Sequence, residues 1–250
     1  MPRTILMEEM TWVEIEQAIK GGMTTAIVPI GSIEQHGPHL PISTDTIIAG
    51  QLGKVVAQEL GNAVVAPTFH LGCSDHHLYF PGTISITPKL LKGIVEAYVD
   101  ALRRDGFKVV VLLPIHGGNY GPLKELLPSL KKKHANLLKI VAFTDFKPLS
   151  RLLHEPFLAA GLPEEEIGSH AGAAETSIVM AARPELVRTD KFKPGFIGDV
   201  QKARSILHKR GMQAVSEIGV IGNPRRANAK IGEDATLKLA RYVVRFIRDT

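Results

Sequence analysis

The chain has 250 residues, of which 44% are hydrophobic and 22% are charged, and its single cysteine is Cys73. This apolar content excludes a disordered chain, and a lone cysteine excludes an intrachain disulfide. The formal net charge of +5 mildly favours anionic small molecules, and it is too weak and too dispersed to indicate nucleic acid as a partner.

The sequence also indicates a compartment and a domain number. No apolar run approaches the roughly 20 residues of a membrane span, and the first residues are acidic where a signal peptide would have its apolar core. We therefore expect a cytoplasmic protein with no membrane partner. Because no repeat, low-complexity tract or linker interrupts the chain, we expect one domain over residues 1–250.

Short apolar runs alternate with longer helical patterns along the chain. Thr11 and Glu14 form a capping box, which predicts a helix from Trp12 to about Lys20. The predicted strands are 25–30, 63–66, 109–113 and 140–143. Further helices are predicted over 46–60, 88–105, 122–133, 148–159, 172–182 and 234–248. This alternation predicts an α/β fold with a largely parallel sheet, in which ligands bind beyond the carboxyl ends of the strands.

The first polar cluster follows the predicted strand 25–30. Glu34 and His36 are two residues apart, so in an extended segment their side chains project from the same side. The loop can bring Asp45, at the start of the next helix, back to them. Two carboxylates and an imidazole are typical ligands of a divalent transition metal. The alternative is that Glu34 is a solvated charge and His36 an ordinary loop histidine.

A second cluster, 116–119, stands at the end of the run 109–113 and reads His-Gly-Gly-Asn. Its glycines allow close approach of the backbone to a ligand, although in isolation they are more typical of a tight turn between strand and helix. In a third cluster, small residues at 171–174 clear space around His170 and Glu175. A helix start with an acidic first turn would explain Glu175 by itself.

Taken together, the clusters resemble the creatininase family of metal-dependent amidohydrolases. The matching segments are Gly-Ser-Ile-Glu-Gln-His-Gly-Pro-His-Leu-Pro at 31–41, His-Gly-Gly-Asn at 116–119, His-Ala-Gly-Ala-Ala-Glu-Thr-Ser at 170–177 and Gly-Val-Ile-Gly-Asn-Pro at 219–224. The resemblance runs from Thr11 nearly to the end of the chain, and the first of these motifs is highly specific.

The resemblance implies a three-layer α/β/α sandwich with a mostly parallel central sheet, a homohexamer, and two divalent ions per chain, which are Zn, Mn or Fe. The implied ligands fall into two groups that share one carboxylate: Glu34, Asp45 and His116 for one ion, and His36, Asp45 and Glu175 for the other. The family also implies catalytic roles for Glu175 and for His170, the latter as a proton shuttle to the leaving group.

This chain departs from the creatinine hydrolase of the family at two places. That enzyme carries Tyr and Glu where this chain has Gly117 and Gly118, and it encloses its flat substrate with tryptophans from the later half of its chain. The only tryptophan here is Trp12. Other branches of the family act on formamides, cyclic keto-polyols or peptides, so we expect hydrolysis of a substrate other than creatinine.

Residues that select the substrate are expected in loops around the metals. The stretch 70–83 is long, rich in hydrogen-bonding groups and without a regular pattern, as active-site lids often are. Candidate substrate contacts are His76 and Tyr79 in this stretch, Asn119, and Arg225, which could anchor an anionic group. The alternatives are surface exposure for the paired histidines 76 and 77 and a solvated loop for Arg225.

The leading hypothesis is a dinuclear-metal hydrolase that cleaves a C–N bond in a small polar amide, formamide or lactam. A second hypothesis keeps the metals and changes the bond, with a lactone or a cyclic keto-polyol as the substrate. A third is a metal-binding scaffold without enzymatic activity, which would have no evident use for His170.

Overall fold

The computed structural model describes residues 2–250. The helices are α1 (Trp12–Lys20), α2 (Thr44–Leu60), α3 (Pro88–Asp105), α4 (Tyr120–Lys133), α5 (Phe146–Ala159), α6 (Glu164–Ile167), α7 (Ala173–Ala182), α8 (Val200–Arg210) and α9 (Ala229–Asp249). The strands are β1 (Thr25–Ile30), β2 (Ala63–Val65), β3 (Val109–Pro114) and β4 (Lys139–Ala142). Among the described residues, no helix is long and apolar enough to cross a membrane.

The four strands form one parallel sheet in the order β2-β1-β3-β4. The two central strands are paired over their full length, from Thr25 opposite Val109 to Ile30 opposite Pro114. Their carboxyl ends are therefore adjacent, and the loops that follow them leave the sheet side by side. This edge is where an open parallel sheet binds its ligands.

Alternate residues of each strand face opposite helical layers, as the two-residue period of a strand requires. Val28 and Val110 belong to a core shared with α3 and α4, whereas Ile27 and Val111 belong to a second core shared with α2, α5 and α9. Helices thus cover both faces of the sheet, and both central strands are apolar except for the buried Thr25. The predicted three-layer α/β/α sandwich with a mostly parallel sheet is confirmed.

Helix α7, which follows the third polar cluster, packs closely on α9. Gly232 allows this approach, because a Cβ atom there would overlap the backbone carbonyl oxygen of Ser177. Asn228, which caps α9, adds a hydrogen bond from its backbone N–H to the Ser177 hydroxyl at 2.9 Å. These contacts fix the position of α7 relative to α9.

Most predicted elements are present, and the main error is a missing helix. The capping box is confirmed, since Thr11 accepts from the Glu14 amide and Glu14 accepts from the Thr11 amide. Helix α8 was not predicted, because it buries only Ala203 and lacks an apolar stripe. Its start does carry a local signal, since the Asp199 carboxylate accepts from two backbone amides of the first turn.

Candidate active site

The three polar clusters converge at the carboxyl ends of β1 and β3. The loop after β1 carries Glu34 and His36, and the segment after β3 carries His116. Asp45 lies in the first turn of α2 and Glu175 in the first turn of α7. All five side chains point to one place, although they come from five positions spread over more than half of the chain.

Glu34, Asp45 and His116 form one compact group. Nδ1 of His116 lies 3.1 Å from Oε2 of Glu34 and 3.2 Å from Oδ2 of Asp45. Each residue offers one ligand atom, and these atoms lie within 4.8 Å of one another. All three residues are buried. The arrangement can therefore hold one cation between two carboxylates and an imidazole.

A second group of the same kind consists of His36, Asp45 and Glu175. Nε2 of His36 lies 3.5 Å from Oδ1 of Asp45 and 3.7 Å from Oε2 of Glu175. The potential ligand atoms again lie within 4.8 Å of one another. Asp45 thus belongs to both groups, with Oδ2 facing the first and Oδ1 facing the second.

The buried carboxylates draw protons onto the imidazoles. Although burial opposes protonation, the Asp45 and Glu175 carboxylates raise the pKa of His36 to about 9. Burial likewise opposes protonation of His116, yet Glu34 and Asp45 raise its pKa well above the ordinary value. Burial and the nearby Asp45 raise the pKa of Glu175 itself to about 7, against the opposing effect of His36. Positive charge close to the carboxylates therefore stabilises the cluster.

Two buried atoms show that protons alone do not satisfy this cluster. Among residues 2–250, Nε2 of His36 and Oδ2 of Asp45 are buried without a hydrogen-bond partner. Oδ2 of Asp45 is only 3.2 Å from His116, but the pair lacks hydrogen-bond geometry. Atoms that face a common point without bonding each other are arranged as ligands are around an ion. The residues present therefore fit divalent metal ions.

His170 lies beside both groups, with one ring nitrogen committed to the backbone. Its Nε2 donates to the backbone carbonyl of Gln35 at 2.8 Å, which leaves Nδ1 facing Oε1 of Glu34 at 3.7 Å. Burial, with the His36 ring beside it, holds the pKa of His170 well below its ordinary value. The neutral form of the ring is therefore favoured, and in that form its free nitrogen can accept a proton within the site.

The position of His170 is constrained by the residue that follows it in the chain. Ala171 has a left-handed backbone with φ +52°, which is uncommon for a residue with a Cβ atom. Its N–H donates to Oε2 of Glu175 at 2.5 Å. Strain of this kind persists only where surrounding contacts impose it. Here the contact joins the segment that carries His170 to the carboxylate of the second group.

Supporting residues that the sequence did not single out complete the site. The Ser74 hydroxyl lies 2.6 Å from Oε2 of Glu34 and donates to it. The side-chain amide of Gln35 donates to Nδ1 of His77 at 2.9 Å, and Nε2 of His77 lies 3.4 Å from Glu34. His77 is buried, so the surface alternative was wrong for this histidine. Two adjacent histidines carry no local pattern that tells which one turns inward.

The cavity above these groups is lined in part by residues of the stretch 70–83 and of α8. His76 lines it, with its ring stacked on that of His116 at 5.6 Å between centroids. Arg204 and His208 of the unpredicted helix line it as well. Sequence reasoning could not place these two residues, because nothing local brings α8 to the sheet edge.

The other candidate substrate residues lie elsewhere. Tyr79 is 70% exposed, in a groove beside the cavity rather than in it. Arg225 is exposed, and its Nε donates to the backbone carbonyl of Phe192. Asn119 is completely buried and joins two backbone segments, accepting from the Cys73 amide and donating to the Gly31 carbonyl. None of these three side chains lines the cavity.

Gly118, in the second polar cluster, has no room for a side chain. A Cβ atom at Gly118 would overlap the Cys73 carbonyl oxygen and would lie 2.6 Å from Nε2 of His116. That carbonyl accepts from Nε2 of His116 at 3.0 Å and so orients the ring. We expect Gly118→Ala to lower kcat/KM by about 10- to 100-fold, the usual effect of disturbing a group that orients a ligand.

The matched control is Gly121→Ala, in the first turn of α4, where an added Cβ atom meets nothing within 4 Å. Steady-state kinetics and metal titration of both variants are the measurements. Equal kinetics for the two variants would show that the position of His116 does not depend on this close contact.

Comparison with known proteins gives a consistent result. A family model described as "Creatininase: Creatinine amidohydrolase" matches residues 8–247. The mycofactocin precursor peptide peptidase of Mycolicibacterium smegmatis is 31% identical over 212 residues, covering 83% of this chain and 77% of that protein. The 3-dehydro-scyllo-inosose hydrolase of Thermotoga maritima is 25% identical over 267 residues, covering 99% of this chain and 84% of that protein.

Among solved structures, a crystal structure of creatinine amidohydrolase (creatininase) superposes with a TM-score of 0.78 at 23% sequence identity. The superposition covers 99% of this chain and 98% of the other. At this identity the likeness shows a common fold.

Proposed function

The chain belongs to the creatininase family and is an amidohydrolase of that family, and we propose that it cleaves a C–N bond of a small polar amide, formamide or lactam with two divalent ions. The observation that carries this proposal is the sharing of Asp45. Its two oxygens face two groups of ligand atoms, one with Glu34 and His116 and one with His36 and Glu175.

These five residues would hold the two ions. When bound, such ions lower the pKa of a water molecule toward neutrality and polarise a substrate carbonyl. Three carboxylates and two neutral imidazoles balance most of the charge of two divalent ions. Because His and carboxylate ligands accept Zn, Mn and Fe alike, we propose one of these metals without choosing among them.

His170 supplies the proton transfer in this proposal. Its Nδ1 faces the cluster, while Nε2 is fixed by the Gln35 carbonyl. A neutral imidazole in that orientation can take a proton from the attacking water and deliver it to the leaving nitrogen. Glu175 contributes by holding Ala171, and through it the His170 ring, in place. A scaffold without enzymatic activity would need neither feature.

The proposed substrate is an amide other than creatinine. Trp12 is 76% exposed in α1 and does not line the cavity, so no indole ring of the same chain covers a flat substrate there. A hydrolase of a cyclic keto-polyol or lactone is the second candidate. The similarity to 3-dehydro-scyllo-inosose hydrolase along 99% of the chain favours it.

A substrate panel separates the two candidates. The protein is stripped with a chelator, reloaded with Zn, Mn or Fe, and assayed with N-formyl amines, lactams, dipeptides, lactones and cyclic diketones. We expect turnover of at least one amide, none in the stripped protein, and recovery on reloading. Turnover confined to lactones or diketones would favour the second candidate, and no turnover by any loaded form would contradict both.

Three broader properties belong to the proposal. We propose that the protein acts in the cytoplasm, that residues 1–250 work as one domain, and that six copies assemble into a ring. Light scattering of the purified protein tests the assembly, and a monomeric mass would contradict it.

A further inference from the structure

The cavity is lined by one arginine, Arg204, that has no role in the proposed mechanism. Arg204, in the second turn of α8, lines the same cavity as Glu34, Asp45 and Glu175. Its side chain is half-buried, and its guanidinium carbon lies 4.5 Å from the centre of the Phe146 ring. The guanidinium therefore packs on a ring that also lines the cavity.

Arg204 lacks the carboxylate partner that a half-buried guanidinium usually has. Within residues 2–250, no Asp or Glu is close enough to it for a salt bridge, and it makes no side-chain hydrogen bond. Burial lowers its pKa, and of the neighbouring groups only the Tyr120 hydroxyl opposes this. Removing a cation from water without an anionic partner is unfavourable. The cation–π contact with Phe146 offsets part of this cost.

The acidic groups of the cavity are not available to Arg204. Glu34, Asp45 and Glu175 face His36 and His116, and the proposed function assigns all three to metal ions. An anion that neutralises the guanidinium must therefore come from a ligand. The planar guanidinium of arginine can donate two parallel hydrogen bonds to the two oxygens of a carboxylate or a phosphate. The ammonium group of lysine, which acts as a point charge, does not offer this match.

The surroundings of Arg204 are also suited to an anion. His208, one turn further along α8, lines the same cavity, and its ring is 5.5 Å from that of His76. Arg226, by contrast, lies 3.5 Å from Glu166, and Arg225 is directed to a backbone carbonyl. Among these three arginines, only Arg204 has both a place in the cavity and no partner.

We propose that Arg204 is a specificity-determining residue for the proposed function, on which this inference rests. Its guanidinium binds an anionic group at the non-reacting end of the substrate, and that group is a carboxylate or a phosphate. The substrate class is thus narrowed to amides or formamides that carry a negative charge away from the scissile bond. Arg204 replaces Arg225, which the sequence suggested for this role.

Metal-binding probes that are not cleaved test this proposal without requiring a known substrate. Aliphatic hydroxamates bind divalent metals, and each probe carries at its far end a carboxylate, a phosphonate or a neutral carboxamide. Chains of two, three and four methylene groups cover the unknown distance from metal to guanidinium. Isothermal titration calorimetry with the metal-loaded protein gives the Kd of each probe.

We expect an anionic probe of at least one length to bind about 10- to 100-fold more tightly than the carboxamide of the same length, as a charge-assisted pair would provide. The favoured anion, carboxylate or phosphonate, identifies the charged group. Arg204→Gln should abolish the preference and leave the carboxamide Kd within about twofold. Arg204→Lys should keep part of it, because it retains the charge and loses the two parallel hydrogen bonds.

The matched control is Arg210→Gln, which removes the same charge from an exposed position of the same helix outside the cavity, and it should keep the full preference. Thermal unfolding of each variant checks that it folds. The proposal is overturned if the wild-type protein shows no anion preference at any length, binds no probe, or keeps its preference in Arg204→Gln.

The outcomes also separate this proposal from the proposed function. Anion preference without turnover of any amide would contradict the hydrolase proposal and support the role of Arg204. Turnover of amides without an anion preference would support the hydrolase proposal and contradict the role of Arg204. A loss of affinity for the anionic and neutral probes alike in Arg204→Gln would show that the residue only supports Phe146 and α8.

Discussion

Replacing Asp45 with Asn is expected to abolish activity and to prevent stable binding of both metal ions. The substitution keeps the shape of the side chain and removes the charge that faces both ligand groups. We expect kcat/KM to fall by at least about 10³-fold, because several kcal/mol of charge stabilisation depend on the ions. The measurements are kinetics and the metal content per chain after dialysis.

Asp105→Asn is the control, because it removes a carboxylate from the exposed end of α3. It should retain full metal content and activity. Far-UV circular dichroism should show that both variants are folded. An Asp45→Asn protein that still bound two ions would contradict the assignment of Asp45 as the shared ligand.

Replacing His170 with Ala is expected to separate proton transfer from metal binding. The imidazole offers Nδ1 to the site and is not needed by either of the two groups that share Asp45. We expect kcat to fall by about 10²- to 10⁴-fold, the range for loss of a general acid–base. The metal content should stay unchanged, and added imidazole should restore part of the activity.

His70→Ala provides the matched control, since His70 is exposed and does not line the cavity. It should behave like the wild-type protein. The competing possibility is that His170 is a metal ligand, because it also lies in a group with Glu34 and His36. A His170→Ala protein with one ion fewer per chain would favour that role over proton transfer.

The sequence predicted the elements whose signals are local. The strand Thr25–Ile30 is almost entirely apolar because both of its faces are covered, and the capping box at Thr11 marks a helix start by itself. The three polar clusters were recognisable because each lies within a few residues of a strand end or helix start. Their convergence follows from the adjacent parallel pairing of β1 and β3.

Features that depend on distant contacts were not predictable. Helix α8 has a polar sequence and buries only Ala203, so periodicity does not reveal it, and Arg204 stayed unnoticed with it. His77 is buried against Glu34, from a segment more than forty positions along the chain. Tyr79 was chosen from the same stretch, and its exposure reflects which way a loop turns rather than its residue type.

Anomalous diffraction from crystals of the metal-loaded protein, collected at the absorption edge of the added metal, tests the central claim most directly. We expect two peaks per chain, one in contact with Glu34, Asp45 and His116 and the other in contact with His36, Asp45 and Glu175. A single peak would contradict this expectation. So would a peak held by either of the other two groups of potential ligands, which are Glu34 with His76 and His77, and Glu34 with His36 and His170.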